Sequence, residues 1–431
     1  MKNLNYYYRK SNFNVLLPYR GKYFLWNTLS GATKELEEKT ERSAREEVVS
    51  LFSAAEQDLC QTEALAADGF IVPKEHNELD IIESDLRSRH PGGFYKIMTT
   101  EACNASCAYC YQNGGTLFMT AHTAARVADF IVKQLEMDQN SPAPEIEWFG
   151  GEPLLNTSAI DIICNRLSEN RIFFRSTITT NGSLWSEELI QRASVLWNLH
   201  RVQITLDGMD AFHDDIKNLP SGSFKHIIRM IHCLIGADIR VIIRINHAND
   251  RLEQERNLLR FLKTEFSEEI LSTRDMLRVC ITPEYTKGTV YPDEAVRMTM
   301  RLRTEAEVLG LSGKRPGTSV DSPDVPHRKR LSCYSCNPDN YTVAPDGSLF
   351  NCTHCMTDEQ RVGSIFQDCS SAVFREDTVR KSFLRTRLSD KCRRCALVPV
   401  CLGGCRIAEM DLAPMTQCCI YKSICSDIAQ N

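Results

Sequence analysis

Residues 101–113 read EACNASCAYCYQN, with Cys103, Cys107 and Cys110 inside eight positions. A structural zinc site usually closes itself with four ligands. Three thiols spaced C-x3-C-x2-C, with no fourth beside them, read instead as a cluster site with one position left open. Zinc with a distant fourth ligand is the competing reading, because close cysteine spacing serves both chemistries.

The sequence around this loop is a repeated strand–helix pattern. From Phe94 onward, YKIMTT, EIEWFG, RSTITTNG, RVQITLDG, IRVIIRIN and LRVCITPE read as six strands. Helical stretches such as TAARVADFIVKQLE, SEELIQRASVLW and FKHIIRMIHCLI lie between them. Such alternation predicts an α/β fold, a parallel sheet or barrel with its chemistry at the carboxyl ends of the strands. The cysteine motif follows the first strand and GGEP the second, while TTNG ends the third and LDG the fourth. All four therefore converge on one rim.

Both flanks differ from this middle. Ahead of it, FNVLLPY and KYFLWNT are apolar, β-rich runs separated by RG, which predicts a hairpin. ERSAREEVVSLFSA and a second stretch through Leu65 have helical periodicity, and GFIVP reads as a short strand. Two helices beside a small ribbon suggest a winged-helix-like module over residues 1–92. KEHNELDIIESDLRSRHPGG then reads as an acidic, broken connector to the unit at 93–312. Beyond that, GKRPGTSVDSPDVPHRKR opens a loop-rich, cysteine-dense segment over 313–431, whose stability is expected from metal sites rather than a large apolar core.

Composition sets further bounds. A chain of 431 residues is long enough for two or three domains, and 42% hydrophobic residues supply real cores. A net charge of −5 argues against a general nucleic-acid partner. No apolar run approaches the length of a membrane span, and MKNLNYYYRKSNFN has no apolar signal region, so a cytoplasmic protein without a membrane partner is expected. The abnormal feature is nineteen cysteines, twelve of them between 333 and 425. In a large chain lacking a secretory signal these read as metal ligands rather than disulfides. Cys60, Cys164, Cys233 and Cys280, in apolar contexts, read as small core residues, and Cys369 is given no role. His122 and His213 near the strand ends read as solvated or hydrogen-bonded rather than functional.

C-x3-C-x2-C with an aromatic residue, Tyr109, before its last cysteine resembles the signature of the radical S-adenosylmethionine (SAM) enzymes. The resemblance covers most of residues 94–310 and implies a partial (β/α)6 barrel. It also implies that Cys103, Cys107 and Cys110 hold a [4Fe–4S] cluster whose fourth iron is chelated by SAM. Cleavage of SAM there would yield a 5′-deoxyadenosyl radical that abstracts a substrate hydrogen. By the same resemblance Gly150, Gly151 and Glu152 of GGEP lie near the methionine moiety. Thr179 and Asn181 of TTNG, Asp207 of the DG turn, and Arg244 of the R-x-N pattern are the further cofactor-binding candidates. No residue is assigned a catalytic proton-transfer role.

The tail is similar to the SPASM extension of these enzymes, which binds two auxiliary [4Fe–4S] clusters and would bring the total to three. Cys336, Cys352 and Cys405 would hold the first, with Cys333 as fourth ligand and Cys355 as its rival. Cys392, Cys395 and Cys401 would hold the second, closed by Cys418 or its rival Cys419. A pair of zinc ribbons is the alternative that spacing leaves open. Residues 1–92 resemble the recognition element that binds the leader of a ribosomally made precursor peptide, pairing a peptide strand with a sheet edge.

These resemblances imply a peptide maturase that abstracts a hydrogen from a precursor peptide and closes a thioether cross-link from a cysteine sulfur to carbon. Its partners would be the precursor peptide and an external electron donor such as flavodoxin or ferredoxin. Epimerisation, carbon–carbon cross-linking and formylglycine formation begin from the same radical and stand as alternatives. A zinc-rich scaffold is the non-enzymatic one.

Overall fold

The computed structural model describes residues 7–404 apart from 20, 39, 56–57, 89–92, 113, 138–141, 272–274, 285–292, 313–324, 332, 338 and 368–387. Strand β1 (Tyr8–Lys10) is followed by a meander of β2 (Asn14–Tyr19), β3 (Lys22–Asn27) and β4 (Thr33–Leu36). Then come α1 (Glu41–Ala55), α2 (Leu59–Ala67), β5 (Ile71–Pro73) and α3 (Glu78–Arg87). The expected hairpin is β2 with β3, registered from Asn14 opposite Asn27 to Tyr19 opposite Lys22. The period of two then divides the meander's side chains. Leu25 and Leu36 face α1 and α2 with Ala44, Phe52 and Leu65, whereas Leu17, Phe24 and Trp26 face Val325, Leu397 and Val400 of the C-terminal segment.

Helix α3 falls where the sequence reads as a broken connector. Leu79, Ile82 and Leu86 recur at helical spacing and pack with Phe13, Leu388, Val398 and Leu402. Charged residues fill the other positions and mask the apolar stripe. Glu78, itself buried, accepts from Arg9, from the Ser11 hydroxyl at 2.5 Å and from the Asn12 amide at 3.0 Å.

The middle of the chain alternates as expected. Its strands are β6 (Phe94–Thr100), β7 (Glu145–Gly150), β8 (Arg175–Thr180), β9 (Leu199–Thr205), β10 (Arg240–His247) and β11 (Leu277–Pro283). All five pairings between them are parallel and in chain order. Helices α4 (Ala121–Met137), α5 (Thr157–Glu169) and α6 (Glu187–Val195) link the first four strands. They are followed by α7 (Asp210–Lys217), α8 (Ser223–Gly236), α9 (Leu252–Glu265), α10 (Ser267–Leu271) and α11 (Asp293–Val308). Ile97, Ile146, Trp148, Ile178, Val202, Ile204, Val241, Ile243, Ile245, Val279 and Ile281 join one core with the helices. The alternate positions are mostly polar: Lys96, Glu147, Thr179, Gln203, Thr205, Arg244 and Thr282 are half-buried and Asn246 is buried, with the apolar Phe94, Met98, Phe149 and Ile242 among them. Parallel strands packed on both faces are normally apolar throughout. A polar inner face therefore marks a lumen.

Beyond Val325 the strand pattern does not end. β12 (Tyr341–Val343) pairs parallel with β6, and β13 (Ser348–Phe350) and β14 (Gly363–Ser364) extend the sheet antiparallel. The strands are only two or three residues long, too short to show a period against the surrounding cysteines.

Two of the four cysteines expected in the core are not there. Cys164 is buried and Cys233 half-buried against the core, but Cys60 and Cys280 are exposed. Cys60 sits in the first turn of α2, where its amide is capped by Asp58. In β11 the alternation gives the core side to Val279 and Ile281 and leaves Cys280 on the lumen side.

Candidate active site

The cysteine loop begins where β6 ends. Thr100 donates its hydroxyl to the Leu117 carbonyl at 2.9 Å and accepts the Ala102 amide at 3.0 Å, and the Glu101 amide also bonds Leu117 at 2.9 Å. Both ends of the loop are thereby stitched to the strand. Cys103 and Cys110 are exposed and Cys107 is half-buried, with the Cys110 amide turned onto the Cys107 carbonyl at 3.1 Å. Burial raises the Cys103 and Cys107 thiols above their ordinary range, and Lys217 is the largest opposing influence at Cys107.

Three rim motifs hold this loop. The Gly151 amide bonds the Thr100 carbonyl at 3.0 Å and the Glu152 amide bonds Ala102 at 2.8 Å, so β7 continues its pairing onto the loop. A side chain on Gly150 would begin 2.3 Å from the Thr100 carbonyl oxygen, and one on Gly151 2.3 Å from that of Ala102. Only glycine fits either position. The fully buried Glu152 carboxylate accepts from the Leu154 amide at 3.0 Å, the Thr180 hydroxyl at 2.8 Å and the Asn181 amide at 2.8 Å. Burial pushes it up to about 7 against these bonds. Asn181 in turn donates to Asn104 at 2.8 Å and approaches the Cys103 sulfur at 3.9 Å.

Asp207 is turned into the protein rather than toward the lumen. Its carboxylate, fully buried, accepts from the Tyr109 hydroxyl and lies 3.0 Å from the Lys217 ammonium. Burial alone would raise its pKa, but Lys217 and Tyr109 hold it below the usual carboxylate range. His213 is buried too, its Nδ1 accepting the Asp207 amide at 3.2 Å, so it is a hydrogen-bonded structural histidine as the sequence suggested. His122 stacks on Phe366 with ring centroids 5.7 Å apart.

Below the rim, Lys96 pairs with Glu147 at 3.0 Å, and its ammonium lies 4.7 Å from the Phe149 ring centroid and 5.1 Å from that of Tyr334. Thr179 donates to Glu147 at 3.2 Å, and Arg244 donates to Asn246 at 2.8 Å. Sequence reasoning missed Lys96, Glu147 and Lys217. The signal for the first two was a charged residue at an alternate position of strands that should be apolar on both faces.

The tail brings four cysteines to one end of the β12–β13 hairpin. Cys333 and Cys336 precede β12, Cys352 and Cys355 follow β13, and Asn351 bonds the Ser335 carbonyl at 3.3 Å across them. Cys392 and Cys401 occupy the short helical turns Asp390–Arg393 and Val398–Cys401, and Cys395 lies in the link between them. Cys405, Cys418, its rival Cys419, Cys425 and Cys369 lie outside the described residues.

Cys103, Cys107 and Cys110 fit iron–sulfur ligation: they are soft thiols on a loop anchored by backbone bonds, and Cys103 and Cys110 are exposed. Among the described residues no three Cys, His, Asp or Glu side chains converge on a single metal ion. Thiolates around a cluster bind different irons and stand farther apart. No described helix is long and apolar enough to cross a membrane.

Residues 97–262 match the radical SAM superfamily. Sporulation killing factor maturation protein SkfB of Bacillus subtilis (strain 168) is 29% identical over 155 residues, 36% of this chain and 36% of that protein. The chain thus spans little more than a third of the length of that curated relative. Among solved structures, anSMEcpe with bound AdoMet and Cp18Cys peptide superposes with a TM-score of 0.56 at 17% identity, covering 78% of this chain and 99% of that one. Streptococcus suis SuiB bound to S-adenosylmethionine superposes with a TM-score of 0.52 at 14% identity, covering 94% and 96%. At these identities the structural likeness is one of fold. Residues 97–262 are accordingly a radical SAM domain, built on a sheet of parallel strands.

Proposed function

We propose that the chain is a radical SAM peptide maturase that forms thioether cross-links in a ribosomally made precursor. The observation that carries this reading is the convergence of the Cys103–Cys110 loop, GGEP and TTNG on one rim, with a second cysteine group packed against it from the tail. With its cluster and SAM bound, the site supplies a 5′-deoxyadenosyl radical able to take a hydrogen from substrate carbon. Cys103, Cys107 and Cys110 would hold the cluster. Gly150 and Gly151 keep the rim free of side chains there, while Glu152 and Asp207 shape it from beneath. Thr179, Asn181 and Arg244 would face the cofactor. Lys96, Arg244 and Asn246 would orient the substrate in the lumen.

In this reading residues 313–431 are a SPASM segment with two auxiliary clusters, on Cys333, Cys336, Cys352 and Cys405 and on Cys392, Cys395, Cys401 and Cys418. The close association of Cys333, Cys336, Cys352 and Cys355 supports Cys355 equally as a ligand of the first. Residues 1–92 would be a winged-helix-like leader-binding module. The maturation role in the name of SkfB, and the SuiB structure bound to precursor peptide SuiA, support a peptide substrate. Each thioether removes one hydrogen from carbon and one from the cysteine thiol. A precursor encoded beside the gene, incubated anaerobically with the reconstituted protein, SAM and dithionite, is therefore expected to lose two hydrogens per cross-link and one alkylatable thiol. Loss of mass without loss of a thiol would contradict thioether formation.

A further inference from the structure

We propose that Lys217 is a positioning residue of the cysteine loop, pinning it from beneath and setting a fixed positive charge under Cys107 that favours the reduced state of the metal group held there. The inference rests on the cluster reading of Cys103, Cys107 and Cys110. Lys217 is the last residue of α7, and its side chain is 4% exposed. Its carbonyl accepts the Ser106 amide at 3.0 Å, and the next residue, Asn218, donates to the Ser106 hydroxyl at 2.8 Å. The end of the helix thus grips the loop one residue before Cys107. Asn218 adopts a left-handed conformation (φ 50°), which ends the helix at this point and aims its amide at the loop.

The ammonium makes a second attachment. It donates to the Tyr109 hydroxyl at 2.8 Å and pairs with Asp207 at 3.0 Å. Tyr109, between Cys107 and Cys110, is also faced by the Arg251 guanidinium 5.5 Å from its ring centroid, and Arg251 is paired with Glu284. Two loop residues on either side of Cys107, Ser106 and Tyr109, are therefore both held by Lys217. A buried pair of this kind costs desolvation and is a poor device for stability alone. Its location accounts for it: a cluster held by Cys107 would gain negative charge on reduction, and the buried Lys217 cation nearby would offset that charge in a medium that screens weakly. Asp207 acts in the opposite sense.

The test is a potentiometric titration of the anaerobically reconstituted full chain, followed by the EPR signal that changes on adding SAM. Lys217→Met is expected to lower the ratio of reduced to oxidised cluster at a fixed potential about tenfold, a shift of about 59 mV for one electron. Lys217→Arg keeps the charge and is expected to restore most of it. Asp207→Asn, which leaves the lysine in place, is expected to shift the ratio the other way, and it keeps the test decisive if the methionine variant fails to fold. Equal potentials in wild type and Lys217→Met at equal iron content would overturn the inference. So would shifts of the same sign in Lys217→Met and Asp207→Asn, which a purely structural role produces. Absence of any SAM-sensitive signal in the wild type would overturn the cluster reading itself and the inference with it.

Discussion

The ring of Tyr111 lies 4.1 Å, centroid to centroid, from the ring of His354, with their planes 26° apart. Tyr111 follows the last cysteine of the rim loop, and His354 stands between Cys352 and Cys355 of the tail. One stacked pair thus joins the two cysteine groups across the lumen side of β6. Burial, then Lys96 and Arg244, push His354 down to about 4, so it is a neutral ring at pH 7.

His354→Ala is expected to remove about 1 kcal/mol of stacking and lower Tm by about 2 °C at pH 7. Iron content should stay near the wild-type value, because neither residue is a proposed ligand. A melting scan beside an iron assay checks both. An unchanged Tm would show that the pair does not join the two segments.

Gly151→Ala should be far more damaging. The added carbon would meet the Ala102 carbonyl oxygen at 2.3 Å and the Glu101 carbonyl oxygen at 2.5 Å, and no side-chain rotation relieves a backbone clash. The strand must separate from the loop, at a cost of about 2 kcal/mol or more. We expect a lowered Tm together with reduced iron binding, since the same contact positions Cys103.

Glu152 makes stability depend on pH in a defined direction. Its folded value, pushed up to about 7 by burial, lies above the ordinary carboxylate value. Between the two values the folded state holds a proton that the unfolded chain has released. Its contribution is therefore fully present below about pH 4 and is lost as pH rises through about 7, about 3 kcal/mol in all. Glu152→Gln should flatten the fall in Tm between pH 5 and pH 8. A fall as steep as in wild type would assign it to another group.

Thiol reactivity should follow exposure. In the native protein, Cys60 and Cys280 are expected to be alkylated well before Cys164, as read by mass spectrometry of peptides from a timed iodoacetamide reaction. Cys164 reacting as fast as Cys280 would contradict the lumen-side placement of Cys280.

Long elements were legible in the sequence because each carries its period several times over. The six parallel strands and the helices between them are of this kind, and so is the β2–β3 hairpin. Helix α3 was hidden because three apolar residues at helical spacing were diluted by charge. Strands β12 to β14 were hidden by their brevity. Cys280 was misread because apolar neighbours in sequence are not neighbours in space: in a strand, Val279 and Ile281 face the side that Cys280 does not. Within the site, the cysteine loop and its glycine neighbours were legible from spacing and order along the chain. Lys217 was not, since only the fold carries the end of α7 beneath Tyr109.

The most direct test of the central claim is SAM cleavage. The anaerobically reconstituted protein, incubated with SAM and dithionite, is predicted to release 5′-deoxyadenosine and to carry about twelve irons if three four-iron clusters are bound. Replacing Cys103, Cys107 and Cys110 together by alanine is predicted to remove about four irons and all deoxyadenosine. Zinc in place of iron, or a protein that loads iron and leaves SAM intact, would contradict the account.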